Sequence, residues 1–233
     1  MSNKVMKNKE FQRLSLAMLD CCYSHTGYMV VKKVWERRAH RRYGMEKARE
    51  REYDLTDKWV DGNLLAAFLL SVAIVLLKDS PLFPVLAFMS LWGACRILEI
   101  LIVQLHIVLI DSFKPSNKEM GTAEVKDVQR SIVNLLINYL ELIFWFVSLS
   151  VVVAMLFEGG LHGDWAYTVS SNFFGCLTFD SDRLAELVGG NVDGAFRYLA
   201  LCETLAGTVM NVIGISTFVG AVGIHGKRKA EEQ

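Results

Sequence analysis

Four long apolar runs, separated by segments that hold nearly all the charge, constrain this chain more than any other feature. They are Gly62 to Leu77, Leu82 to Ile110, Ser131 to Phe157 and Tyr198 to Ile224. A hydrocarbon core about 30 Å thick takes roughly 20 apolar residues to cross as a helix. At that depth backbone groups find no water to bond, and a helix satisfies them internally. The expected fold class is therefore an all-α membrane protein with four transmembrane helices. The total composition argues less strongly: 52% of the 233 residues are hydrophobic, whereas a soluble domain is already about 45–50% apolar.

The runs are not uniform. The first is short, and Lys58 and Trp59 extend it by snorkelling and interfacial anchoring. Asp79-Ser80-Pro81 reads as a tight turn into the second, which carries Arg96, Glu99 and His106. The third holds one charge, Glu141. Ionisable groups inside a span are expensive and are candidates for function. Arg96 and Glu99 are three apart and share a helix face. Asn134, Asn138, Glu141, Trp145 and Ser148 step by four, three, four and three along one face of the third run. Arg96 and Glu141 are the expected intramembrane polar pair, with a proton or gating relay as the functional alternative to structural glue. A single arginine is far short of the repeated charges of a voltage sensor.

Lys and Arg are distributed asymmetrically. Residues 1–60 hold fourteen of them against eight Asp and Glu, and the 111–130 connection and the Gly226-Lys227-Arg228-Lys229 tail hold most of the rest. The positive-inside rule puts all three on the cytoplasmic side, which an even number of spans permits. Phe11, Leu14, Met18 and Leu19 fall at helical spacing and suggest a short amphipathic helix. The charged stretch from Lys32 to Lys58 reads as a helix at an anionic headgroup surface; no nucleic-acid recognition module surrounds it.

Other functional classes find little support. Phosphate-binding Gly loops, Gly-x-Ser-x-Gly, His-Glu-x-x-His and zinc spacings are all missing, so no catalytic residues and no cofactor are expected. Cys21, Cys22, Cys95, Cys176 and Cys202 are odd in number and scattered, which argues against both a disulfide framework and a metal site.

Between the third and fourth runs lies Asp164 to Asp180, D-W-A-Y-T-V-S-S-N-F-F-G-C-L-T-F-D. It is too short and polar to cross, and reads as a helix that dips into the membrane and returns as extended backbone, lining water. The fourth run presents two seams. Glu203, Gly207, Met210 and Gly214 share a face whose small residues permit close approach, and Thr204, Thr208, Asn211 and Ile215 share a mildly polar face suited to a wet cavity.

These residues carry a resemblance to the two-transmembrane pore module of the potassium channel superfamily, over about residues 130–224. Asn138-Tyr139-Leu140-Glu141 with Phe144-Trp145 resembles the outer helix, Ala166-Tyr167-Thr168-Val169-Ser170 the start of the pore helix, and Cys202-Glu203-Thr204-Leu205-Ala206-Gly207 the inner helix. The resemblance implies a homotetramer in the bacterial inner (plasma) membrane, passing monovalent cations along an axis lined by Thr204, Thr208, Asn211 and Ile215. Charge and hydropathy along the chain, with the resemblance over the fourth part, divide it into five regions: a basic N-terminal segment (1–60), a peripheral hairpin (61–111), a connector (112–130), the pore module (131–224) and a basic tail (225–233).

Aligned from Tyr167, the selectivity filter falls on Gly175, Cys176, Leu177, Thr178, Phe179 and Asp180. The family's Thr-Val-Gly-Tyr-Gly is absent there, and with it the glycine pair. Left-handed backbone costs other residues roughly 1–2 kcal/mol each. A potassium filter of the usual geometry is therefore not expected. Glu158, Asp164, Asp180, Asp182, Glu186 and Asp193 against Arg183 make the intervening segment acidic, which favours cations. The alternative is a membrane interaction or signalling protein that keeps this fold without conducting.

Overall fold

A computed structural model describes residues 19, 21–27, 29–34, 45–109, 123–178, 181–189 and 194–231. Six helices make up most of it: α1 (Met45–Leu76), α2 (Phe83–Leu109), α3 (Ala123–Phe157), α4 (Trp165–Thr178), α5 (Ser181–Glu186) and α6 (Ala195–Glu231). Among the described residues there is no strand. Residues 21–24 and 29–34 are also helical. The expected amphipathic helix lies almost wholly outside the described residues, as do the connector residues 110–122.

Four helices are long and apolar enough to cross a membrane, over Asp57–Leu76, Phe83–Ile107, Ile132–Phe157 and Ala195–Val219. The expected runs differ from these only at their ends. The first gains residues from the charged stretch, because α1 continues without a break from Met45, and the basic tail likewise extends α6 to Glu231.

The helices are not equivalent. In α3, 61% of the apolar stretch is buried, against 33% in each of the other three, so α3 is the central post. It packs against α1, α2, α4 and α6. One core joins Ala67, Ile97, Ile100, Leu142, Ile143 and Phe146 to Cys176, Ala206 and Met210; a second gathers Ile74, Val151, Leu184, Leu187 and Phe196 near the other end. Gly93 of α2 lets the ring of Trp145 lie on the α2 backbone, where a Cβ would occupy the same space. The outward faces of α2 and α6 are apolar, with Val85, Phe88, Trp92, Leu201, Val212 and Ile215 all more than half exposed. Large uncovered apolar faces of this kind suit lipid or partner subunits.

The connections are tight. Ser80 turns the α1–α2 hairpin, accepting the Phe83 N–H on its carbonyl at 3.0 Å. Lys78 at the tip donates to the Leu161 carbonyl at 3.2 Å, tying the hairpin to the segment after α3. Gly159 closes α3 at φ 78°, the left-handed conformation that commonly ends a helix.

Candidate functional site

Two polar groupings inside the bundle hold the residues singled out by sequence. The first is the seat of α4. Asp164 caps the helix, its Oδ1 accepting the Tyr167 N–H at 2.8 Å. Trp165 anchors the amino end: its Nε1 donates to Ser71 Oγ of α1 at 3.1 Å, and its ring lies 5.6 Å from Phe68 and 6.4 Å from Phe144. In mid-helix, Asn172 donates to the Thr168 carbonyl and accepts the Ser150 hydroxyl of α3 at 3.1 Å.

The carboxyl end of α4 lies on α6. A Cβ on Gly207 would fall on the Cys176 backbone, so the two helices touch there without a side chain between them. Asn211 Nδ2 is 3.5 Å from the carbonyls of both Cys176 and Leu177, groups that the helix itself leaves unpaired. Gly207 stands at the middle of the Ala195–Val219 stretch, roughly 18 Å from its start. Glu203 is fully buried; its Oε1 accepts the Cys176 thiol at 3.5 Å, and its Oε2 has no hydrogen-bond partner among the described residues.

The chain then returns beside α4. Leu184 of α5 covers Gly175, Arg183 stands 4.6 Å over the Phe174 ring, and Tyr167 donates its hydroxyl to Glu186 at 2.8 Å. The His162 N–H closes the loop on the Leu187 carbonyl at 2.8 Å. Tyr167 lies outside the four apolar stretches, and its hydrogen bond to Glu186 holds the phenol above its ordinary pKa.

The six filter candidates divide. Gly175 and Cys176 are buried between α4, α5 and α6, whereas Leu177 and Thr178 are exposed. All four are helical, forming the last turn of α4 where extended backbone was expected. Their carbonyls follow the helix axis because nothing in Gly175 to Thr178 breaks an i to i−4 ladder, and Thr178 Oγ1 bonds back to Phe174 O at 2.7 Å. Phe179 and Asp180 lie outside the described residues. On α6, Thr208 and Ile215 are exposed, and Thr204 and Asn211 are half-buried.

The second grouping is an ion cluster. Arg96 donates from Nε and Nη2 to the two oxygens of Glu141, both at 3.0 Å, and from Nη1 to Glu99 Oε2 at 2.5 Å. Trp145 Nε1 adds a 3.1 Å bond to Glu141 Oε1. Arg96 is 3% exposed and Glu141 0%. Burying such charges is tolerable only when the geometry satisfies them, as this bidentate pair does.

The Asp164 cap, the Ser150–Asn172 and Trp165–Ser71 bonds, and the isolation of Glu203 Oε2 go beyond what the sequence led one to expect. The first has a local signal, an Asp ahead of a helix; the others depend on which helices meet. Among the described residues, no three His, Cys, Asp or Glu side chains gather as a metal site. Compared with known proteins, the chain matches no family model, no curated sequence and no solved structure.

Proposed function

We propose that this chain is one subunit of a homotetrameric cation channel, in which α4 and α5 form a re-entrant hairpin and α6 faces the central axis. The observation that carries this reading is the seat of α4 on α6. A helix of 14 residues is about 21 Å long, too short to cross a 30 Å core. Its carboxyl end rests against mid-α6 and the chain then doubles back beside it. Carbonyls at a helix carboxyl end carry the negative end of the macrodipole and favour a nearby cation.

The exposed face of α6 supports the same reading. Leu201, Leu205, Thr208, Val212 and Ile215 step by four, three, four and three without a partner in the described chain. Four copies around an axis would turn Thr208, with Thr204 and Asn211 at its edge, toward the conduction path. The Lys and Arg distribution orients both termini to the cytoplasm, so the acidic 158–193 segment faces outside. The resemblance to the potassium channel superfamily supports the arrangement, but not potassium selectivity: the glycine pair is missing and Gly175 to Thr178 are helical.

The test is flux through the purified chain in liposomes under potassium, sodium and chloride gradients. The expected result is cation flux over chloride without strong potassium preference, reduced in Asp180→Asn and blocked in Thr208→Trp. Chloride flux, or cation flux indifferent to Thr208→Trp, overturns the proposal. The helical last turn of α4 favours one second reading, a tetramer that keeps the fold and does not conduct. Silence under every gradient with the tetramer intact would select it.

A further inference from the structure

At the opposite end of the bundle from α4, a cavity of about 240 Å³ opens between α1, α2 and α3, with Tyr23 covering it. Its walls mix apolar Val60 and Val103 with the amides of Gln104, Asn134 and Asn138. Trp59 lines it as well, and the buried Trp59 Nε1 has no acceptor among the described residues. A buried donor without a partner costs about 1–3 kcal/mol, so an acceptor oxygen belongs beside it.

Charge narrows the choice. Arg96, the cavity's guanidinium, already donates to Glu99 and Glu141, so an anion would meet two carboxylates there. The same guanidinium stands 5.7 Å over the Trp59 ring and occupies that face of it. All three Arg96 nitrogens are engaged with the two carboxylates, so the unmet group in the cavity, among the described residues, is the Trp59 N–H, which a neutral acceptor oxygen satisfies. An apolar cavity of about 150 Å³ holds benzene, so this one takes on the order of ten heavy atoms. Its position fits an interfacial ligand, because Trp59 and Ile107 lie within two residues of the ends of their apolar stretches. Ester carbonyls and amphiphile hydroxyls concentrate at that level.

We infer that this cavity is a binding site for a neutral amphiphile, an acceptor oxygen on a small apolar body, recognised by the Trp59 indole N–H. The oxygen comes either from a free alcohol or from the ester carbonyl of a membrane lipid. The inference does not depend on conduction.

The test uses the full chain labelled with 5-fluorotryptophan in nanodiscs, with Trp59→Phe identifying the Trp59 fluorine resonance. Benzyl alcohol is titrated in diether phosphatidylcholine, which has no ester carbonyl, and again in the diester lipid. A free-alcohol site gives a saturable shift at Trp59 in both lipids, while Trp92, 55% exposed on α2, moves only in proportion to added alcohol. A lipid site gives a Trp59 resonance that differs between diester and diether discs before any alcohol is added. Val103→Phe, which fills the cavity, weakens either response at least about tenfold, roughly 1.4 kcal/mol. Unchanged Trp145 and Trp165 resonances in that variant show that the bundle is intact. No saturable shift and no difference between the lipids overturns the inference, and so does a response that Val103→Phe leaves unaltered.

Discussion

Three glycines separate residue-scale effects that composition cannot distinguish. Gly207 and Gly93 each stand where a Cβ would run into another helix, the Cys176 backbone in one case and the Trp145 ring in the other. Gly62 has nothing within 4 Å of such a Cβ. Gly207→Ala is expected to be the most disruptive of the three, since backbone cannot swing aside as a side chain can. Gly62→Ala should be neutral or stabilising by roughly 0.5–1 kcal/mol, the entropy of a helical glycine. Thermal unfolding of the three variants in one detergent checks the order, and Gly62→Ala melting lowest would refute it. The ion cluster gives a second residue-scale prediction. Arg96→Met leaves Glu99 and Glu141 without their shared guanidinium. Removing one partner of a buried pair costs about 3–5 kcal/mol. Glu141→Gln should cost less, because an amide oxygen still accepts from Trp145.

At the scale of elements, α4 is held by different forces at its two ends. Its amino end has a cap, an indole hydrogen bond and two ring contacts; its carboxyl end has backbone contact at Gly207 and the Asn211 amide. Tyr167–Glu186 clips α5 onto α4 from the exposed side. Because the clip raises the Tyr167 pKa, its contribution is complete below the ordinary tyrosine value of 10.0 and is lost as pH rises through the raised one. Amide protection over residues 162–189, taken relative to the base-catalysed intrinsic rate, is therefore expected to hold at neutral pH and to fall in strong base. Tyr167→Phe should show the lower protection below the raised value, and the parent should fall to meet it above that value. Equal protection in the variant and the parent at neutral pH would mean that the α5 contacts at Gly175 and Phe174 suffice.

For the whole molecule, the uncovered face of α6 is the feature that needs a partner or lipid. With the exposed Cys21, Cys22, Cys95 and Cys202 replaced by Ala, Thr208→Cys is expected to form disulfide-linked pairs of chains under mild oxidation, and Val85→Cys on the outer face of α2 is not. Both positions are exposed in the single chain, so exposure alone does not separate them. Cross-linking at Val85→Cys alone would place α2 rather than α6 at the contact, and cross-linking at both positions would show no preference for α6. The four apolar stretches were legible in the sequence, because predominantly apolar runs near the length of a bilayer crossing satisfy their backbone in lipid as helices. The Glu203–Gly207–Met210 seam was legible for a similar reason, since helical period and small side chains require no knowledge of the partner.

What the partner is, however, was decided in three dimensions. Sequence order makes α3 one helix among four, while packing makes it the central post, because burial depends on how many neighbours surround a helix and not on its own hydropathy. The Arg96–Glu99 spacing is local, and the Arg96–Glu141 pair was expected from the two runs that carry them; its bidentate geometry, across 45 residues, exists because α2 and α3 align at that level. The last turn of α4 shows the limit most directly. A likeness in residue order pointed to extended backbone at Gly175 to Thr178, but backbone conformation answers to local ladders and to what lies alongside. With Gly207 offering a flat surface and Asn211 meeting the terminal carbonyls, a helix satisfies more of those groups than an extended strand would.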